Sequence, residues 1–449
     1  MNTAKTLQLL RAYESRNVTF LDPAGDWPIV WERAKGVHVW DAKGNKYLDL
    51  TAAFGVAAAG HANPRVVRAG QKQMAKLLHA MGDVHPHALK AQLARELSRI
   101  TFERWTSVTR PSGKTIFCNS GFEAVEAALK TAMLATGKQG VIAFEGAYHG
   151  LGYGALNATH REHFRGPFRS QLREFGHFVP FPVAADVRRL KSKGTKHESA
   201  HVGCYEVEKR IRSLLRRERV GAILVEPIQA RGGCNIPPPE FLPLLRKLCD
   251  EHGALLILDE IYTGFGRTGK WIACEHSSVV PDVVCLGKAL TGGFPLSACV
   301  GRAEVMDAAW PLSQGEAIHT STFLGHPVGC AMALAQIGEI RRLKLFERSA
   351  RLGSILQEAL ETIHAPRTVP LARGIGLMVG LELSHADGSP ATAEALRVIK
   401  CMLRRGFILL PEGEHGNILS FTPPLTISES QLRLATKTLA EVLATDFHR

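Results

Sequence analysis

Residues 254–301 read ALLILDEIYTGFGRTGKWIACEHSSVVPDVVCLGKALTGGFPLSACVG. The stretch opens on an apolar run, 254–258, that stops at Asp259 and Glu260. A second run, 283–286, stops at Gly287 and Lys288. Short apolar runs cut off by polar residues read as strands buried on both faces of a parallel sheet. Ligands of open α/β sheets collect at the carboxyl ends of the strands. One buried strand therefore delivers a carboxylate to that edge, and another delivers a lysine.

Three more runs repeat the pattern. Residues 115–118 lead into Asn119-Ser120-Gly121-Phe122-Glu123, residues 141–144 into Glu145, and residues 222–225 into Glu226-Pro227. Helical stretches separate most of these runs, which is the signature of an α/β chain with a parallel sheet. Ser120 and Glu123 have the spacing of a capping box ahead of AVEAALKTAMLA. A helix start with Gly at its first position also suits a phosphate, because its N–H groups are free and its dipole is positive.

A lysine with a partner aspartate is what pyridoxal phosphate (PLP) requires: an amine for a Schiff base and an anion for the pyridinium nitrogen. Either residue alone has an ordinary explanation, as a helix cap or a surface side chain. Joined by GFGRTG and followed by LTGGFPLSA, they resemble the class III aminotransferases, the ornithine, acetylornithine and 4-aminobutyrate group. The resemblance covers nearly the whole chain. It implies a PLP-dependent transferase of fold type I, with a mostly parallel large-domain sheet and a smaller α+β lobe. The division it suggests is an N-terminal segment with a hairpin (1–60), a large PLP-binding domain (61–330) and a C-terminal small domain (331–449).

The implied reaction moves an amino group from an amino acid or amine to a 2-oxo acid through an aldimine of Lys288, with Asp259 as partner of the ring nitrogen. Ser120, Gly121, Phe122, Glu226 and Tyr262 are expected around the cofactor. Tyr148, in the Tyr-His-Gly of residues 148–150, is expected to stack on its ring, with His149 in a packing or hydrogen-bonding role. Thr322, in HTSTFLGHP (319–327), is expected to reach the phosphate of a neighbouring subunit, so the resemblance implies a homodimer with sites at its interface. Phe54 stands where some relatives use a tyrosine to touch substrate; an ordinary buried Phe is the plainer reading.

Two positions depart from the family. Many members carry Glu two residues after the Gln of EPIQ and pair it with an Arg just before F-x-PPL. Here those positions hold Arg231 and Ser420. That Glu–Arg switch is absent, so ornithine or 4-aminobutyrate specificity does not carry over. Arg231 reads either as a receptor for a substrate carboxylate or as half of a structural ion pair, for instance with Glu240 or an acid of a partner chain. Tyr262, where relatives often have Gln, is a third departure. An aminomutase, racemase or decarboxylase on the same fold is the rival chemistry.

Composition narrows the field further. The 449 residues exceed one hydrophobic core, and their 45% hydrophobic and 22% charged content is ordinary for a globular protein. No apolar run spans a bilayer and no secretory h-region opens the chain. The nine cysteines include no C-x-x-C pair, and Cys118, Cys285 and Cys299 lie in or beside apolar runs. Reduced thiols in a cytoplasmic protein are expected. The net charge of +13 is densest over 184–220, with eleven basic and five acidic residues. One aromatic, Tyr205, gives no stacking platform for single strands, and no nucleic-acid motif is present. That stretch reads as a solvated helix face. No metal-ligand pattern is expected to matter.

Residues 31–50 read as a hairpin turning at Lys43-Gly44-Asn45, residues 1–17 as a short helix, and residues 329–340 as a long helix. In the C-terminal lobe, residues 374–383 read as one strand with glycine kinks. Residues 405–410 and 417–421 read as two more.

Overall fold

The computed structural model describes residues 2–22, 27–106, 112–184, 200–217 and 219–444. Fifteen strands lie among them. Three are N-terminal: β1 (Trp31–Lys35), β2 (His38–Asp41) and β3 (Lys46–Asp49). Seven form the large sheet: β4 (Gly113–Cys118), β5 (Gly140–Phe144), β6 (Gly176–Val179), β7 (Val220–Val225), β8 (Leu255–Asp259), β9 (Val283–Leu286) and β10 (Ser297–Arg302). The rest are C-terminal: β11 (Val369–Gly374), β12 (Val379–Ser384), β13 (Phe407–Ile408), β14 (Leu410–Glu412) and β15 (Ile418–Phe421).

The large sheet has the order β4-β10-β9-β8-β7-β5-β6. β10 runs antiparallel to both of its neighbours, and the other six strands share one direction. The five strands expected from the sequence all form. β6 and β10 were not expected. β6 has four residues, only one of them fully buried, too weak a pattern to read. β10 lies inside the glycine- and serine-containing stretch after Lys288, where the motif masks the strand.

The continuous apolar runs follow from burial on both faces. Ala222, Leu224 and Ile257 pack with Ala124, Ala127, Ala128 and Leu129 of helix Gly121–Thr136. Ile223, Val225, Leu256 and Leu258 meet Phe241, Leu245 and Leu248 of helix Phe241–His252 on the opposite face. The alanines let the first helix sit close to the sheet, which brings its N-terminus to the carboxyl ends of the strands.

The hairpin of β2 and β3 turns at Lys43-Gly44-Asn45, with Gly44 at φ +85° and Asp41 accepting from the Lys43 and Asn45 N–H groups. It belongs to a four-stranded sheet, β1-β2-β3-β13, that joins the N-terminal segment to the C-terminal lobe. Helices Thr3–Tyr13 and Pro327–Arg342 match expectation. Residues 374–383 do not form one strand. Gly374 ends β11, Gly376 turns at φ +59°, and β12 returns antiparallel. A Cβ on Gly376 would stand 2.5 Å from the Thr268 backbone, so this turn is pressed against the GFGRTG loop. Of the basic stretch, residues 185–199 lie outside the described residues. Helix Ala200–Arg217 carries the remainder, with Arg212 paired to Glu208 and Glu251.

Arg267, in the middle of GFGRTG, is enclosed to 2% exposure and donates from Nη1 to Leu377 O at 2.9 Å and Pro423 O at 2.6 Å. Burial pulls its guanidinium down to about 10, still charged at neutral pH. This side chain bolts the C-terminal lobe to the large sheet. Arg267→Met strands two buried carbonyls, at about 1–3 kcal/mol each, so the thermal unfolding midpoint should fall clearly. An unchanged midpoint would show that the carbonyls find other donors.

Candidate active site

A cavity of about 430 Å³ opens at the carboxyl edge of the large sheet. Its lining includes Gly121, Phe122, Tyr148, Glu226, Arg231, Asp259, Tyr262 and Lys288. Eight of the eleven residues expected at the site are thus brought to one space. They come from chain positions more than 160 residues apart, delivered by the turns after β4, β5, β7, β8 and β9.

Asp259 ends β8, opposite Cys285 of β9. It is 5% exposed, and its Oδ2 lies 2.7 Å from Nδ1 of the enclosed His149, whose ring N–H donates to it. Oδ1 accepts from Ile261 N–H at 3.1 Å. The carboxylate is held from two sides. His149 therefore has the hydrogen-bonding role expected of it, with a partner that could not be read from the sequence.

Lys288 sits three residues beyond Cys285 with φ +34°, a left-handed backbone that costs a non-glycine residue of order 1–3 kcal/mol. The turn after β9 imposes that conformation. Nζ lies 4.1 Å from the Tyr262 ring centroid, within cation–π range. Burial lowers the pKa of the amine, while Asp259, Glu226 and Glu412 oppose the shift. Tyr262 is fixed from behind: its hydroxyl bonds Thr422 Oγ1 at 3.2 Å, and a Cβ on Gly55 would come within 2.9 Å of its ring.

Glu226 accepts from the Tyr148 and Ala230 N–H groups, each at 3.1 Å. Burial pushes its carboxyl up to about 7, with His149 opposing. Tyr148 packs edge-on to Phe164 at 5.5 Å, and the Arg231 guanidinium lies 5.2 Å from its ring centroid.

The capping box does not form as expected. Ser120 is the N-cap residue, but its side chain makes no capping bond and its Oγ is buried without a partner. Glu123 reaches back to Asn119 N–H instead, at 2.9 Å. The result is an unused hydroxyl beside the free N–H groups of a 16-residue helix. Gly121 also matters here, since a Cβ on it would meet Ile261 at 3.1 Å. Orphaned hydroxyl, open helix start, buried carboxylate and buried amine together are a donor set that fits PLP.

Two expected residues, Phe54 and Thr322, stand apart from this description, as does Ser420, the second departure from the family. Phe54 is 47% exposed, at φ +61° in a left-handed turn, and is absent from the cavity wall. It is neither a wall residue nor an ordinary buried Phe. The turn is tied by Asp49, which accepts from Thr51 and Ala53 and contacts His61 Nε2 at 2.7 Å; Gly55, not Phe54, is what backs the site. Thr322 is exposed and outside the cavity of its own chain. Ser420 is buried in β15.

The acid facing Arg231 is Glu412, at 3.7 Å from Nε to Oε2. Glu412 was missed because nothing in PEGEHGN marks it; only the pairing of β14 with β15 carries it to the site. Arg161 was missed likewise, and it donates from Nη2 to the Arg231 carbonyl.

The Aminotransferase class-III family model matches residues 21–443. The acetylornithine aminotransferase of Methanosarcina mazei is 36% identical over 408 residues, 91% of this chain and 90% of that protein. The putrescine aminotransferase of Pectobacterium atrosepticum is 37% identical over 429 residues, 93% and 83% of the two chains. Among solved structures, a PLP-bound amine transaminase from an uncultivated Pseudomonas species superposes with a TM-score of 0.84 at 27% identity, covering 96% of this chain and 98% of that one. These relatives are all transaminases, and they lend nothing to the aminomutase, racemase or decarboxylase readings. The chain belongs to the class III aminotransferases and is a PLP-dependent transaminase of fold type I.

Proposed function

We propose that this transaminase takes an amino donor bearing a carboxylate, passes its amino group to a 2-oxo acid, and grips both through Arg231. The observation that carries the reading is the Arg231 guanidinium in the wall of the cavity that also holds Lys288 and Asp259. Its planar fork can take a carboxylate by two parallel bonds. The names of the relatives span both possibilities, since acetylornithine carries a carboxylate and putrescine carries none.

PLP, when bound, supplies the electron sink for a carbanion. Lys288 offers the amine that holds the cofactor's carbonyl carbon. Burial lowers its pKa and so favours the neutral amine, which can accept a proton from the donor carbon and return it. Asp259, fixed by His149 and the Ile261 N–H, is the anion that would partner the ring nitrogen of PLP and favour its protonated form. Ser120, Gly121 and Phe122 at the helix start take the phosphate. Tyr148 would lie against the cofactor ring, and Glu226 and Tyr262 would complete the walls.

The same reading makes the active unit a homodimer. Leu78, Met81 and Val84 are exposed, as are Ile318 and Phe323. The two segments adjoin through Thr320 Oγ1 and Asp83 Oδ2 at 2.7 Å. An apolar surface beside Thr322 suits a second copy, whose phosphate site Thr322 would then complete. A cytoplasmic setting fits the eight buried free cysteines and the absence, among the described residues, of a helix long and apolar enough to cross a membrane.

Borohydride reduction of the holoenzyme followed by peptide mapping should place the pyridoxyl group on Lys288; a label on another lysine sinks the assignment. Asp259→Asn should keep PLP and lose about 10- to 100-fold in kcat, the worth of one charge-assisted hydrogen bond. Its effect on pH has a fixed sign. Capture of PLP by the apoenzyme should quicken with pH and level off below the ordinary lysine pKa of about 10.4. Asp259 raises the Lys288 pKa, so its loss should move the plateau to still lower pH. Near-native turnover, or a plateau shifted upward, counts against Asp259. Arg231→Ala should cost about 10- to 100-fold in kcat/KM on donors with a carboxylate and little on amines without one. Equal losses on both classes, with lowered thermal stability, would make Arg231 structural.

A further inference from the structure

The pair of Arg231 and Glu412 is incomplete in a specific way. Glu412 is 4% exposed, whereas the Arg231 side chain is 32% exposed. Their nearest atoms, Nε and Oε2, stand 3.7 Å apart, too far for a hydrogen bond, and neither atom has another partner. Arg231 lines the cavity and Glu412 does not, so the carboxylate stands behind the guanidinium.

The backbone around the pair is by contrast tied down. The Arg231 carbonyl accepts from Gly413 N–H at 3.2 Å and from Arg161. Gly413, at φ +84°, turns the chain directly after Glu412, and a Cβ there would strike Ile418 at 2.8 Å. The register of β14 and β15, with Glu412 opposite Ile418, fixes the carboxylate's place. A rigid frame thus presents a loose ion pair, the arrangement expected of a contact that is meant to open.

We propose that Glu412 is a positioning residue that sets donor specificity through Arg231, holding the guanidinium as a neutralised pair when the donor lacks a carboxylate and yielding it when a carboxylate enters. The inference rests on the reading of Arg231 as the carboxylate receptor. An entering carboxylate can form two parallel, charge-assisted bonds where Glu412 forms none, so it wins the guanidinium. Glu412 is not then abandoned. The Arg161 charge also acts on it, and burial already raises its pKa towards the neutral form. With a donor that lacks a carboxylate, an unpaired guanidinium in the cavity would have to be desolvated, and Glu412 removes that cost by standing behind it. Glu412 faces the charges of Arg231, Arg161 and Lys288; Arg161 also faces Glu414 and Glu226, and Lys288 also faces Asp259 and Glu226.

The test uses holoenzyme carrying Glu412→Gln, Glu412→Asp or Arg231→Gln. Calorimetry reads the Kd of glutarate, a dicarboxylate with no amino group to transfer. Steady-state kinetics read KM and kcat for the best donor with a carboxylate and the best donor without one. Glu412→Gln should tighten glutarate by about three- to tenfold and lower KM for the carboxylated donor, while kcat/KM for the other donor falls. Glu412→Asp, which restores the charge, should return both towards the wild type and serves if the Gln variant folds poorly. Shifts of the same sign for both donor classes, or an unchanged glutarate Kd, overturn the proposal while leaving Arg231 as receptor. Arg231→Gln should weaken glutarate and impair only the carboxylated donor; if it spares both, the receptor reading fails and the proposal with it.

Discussion

The parallel register between β8 and β9 is the constraint on which the site depends. It sets Asp259 opposite Cys285, so that the carboxylate at one strand end and the lysine just past the other share one edge. A slip of one residue would turn every side chain of the strand to the opposite face. The register is locked because both faces are packed: Ile257 belongs to one cluster, Leu256 and Leu258 to the other. The hydrophobic core therefore does more than stabilise the fold. It fixes the separation of the Asp259 carboxylate and the Lys288 amine, the two groups proposed to carry transamination.

Around that edge, buried charge is arranged so that each group leans on another. His149 holds Asp259, and Asp259 and Glu226 together oppose the loss of charge that burial imposes on Lys288. Glu226 sits near 7 because burial outweighs the help of His149 and its two N–H donors. Placing unpaired charges in such a space would be expensive. The cavity tolerates them because acids and bases alternate within it, and this balance is what a charged cofactor and substrate enter.

The GFGRTG loop solves a different problem. It follows closely after the strand that ends at Asp259 and must also receive the C-terminal lobe. Glu260, fully enclosed, accepts from Ala273 and Cys274 N–H groups and so closes the loop's base. Arg267 donates from Nη1 to the Leu377 and Pro423 carbonyls. The lobe docked by that contact brings β14, and hence Glu412, against Arg231. The surroundings of Arg231 thus depend on how the C-terminal lobe meets the large sheet, whereas Asp259 and Lys288 are placed by the sheet alone.

The sequence by itself determined the parallel strands and the polar residues at their ends, because burial on both faces writes itself as continuous apolar runs. Asp259, Lys288 and the Ser120–Gly121 helix start were legible for that reason, whereas Tyr148 was expected at the site only through the family resemblance. Tertiary structure alone decided the rest. The antiparallel β10 was hidden in a glycine-containing motif, and the hairpin at Gly376 was hidden because its turn is dictated by the loop it presses on. Ser120 proved to be an orphan, its expected capping role undone by Asn119, which takes the Glu123 carboxylate. Phe54 was placed by sequence position, but a left-handed turn tied by Asp49 leaves it exposed. Glu412 and Arg161 join Arg231 only when segments 70 and 181 residues away along the chain are folded onto it. Local sequence carries periodicity and caps, whereas a contact between distant polar side chains is fixed by packing and leaves no local trace.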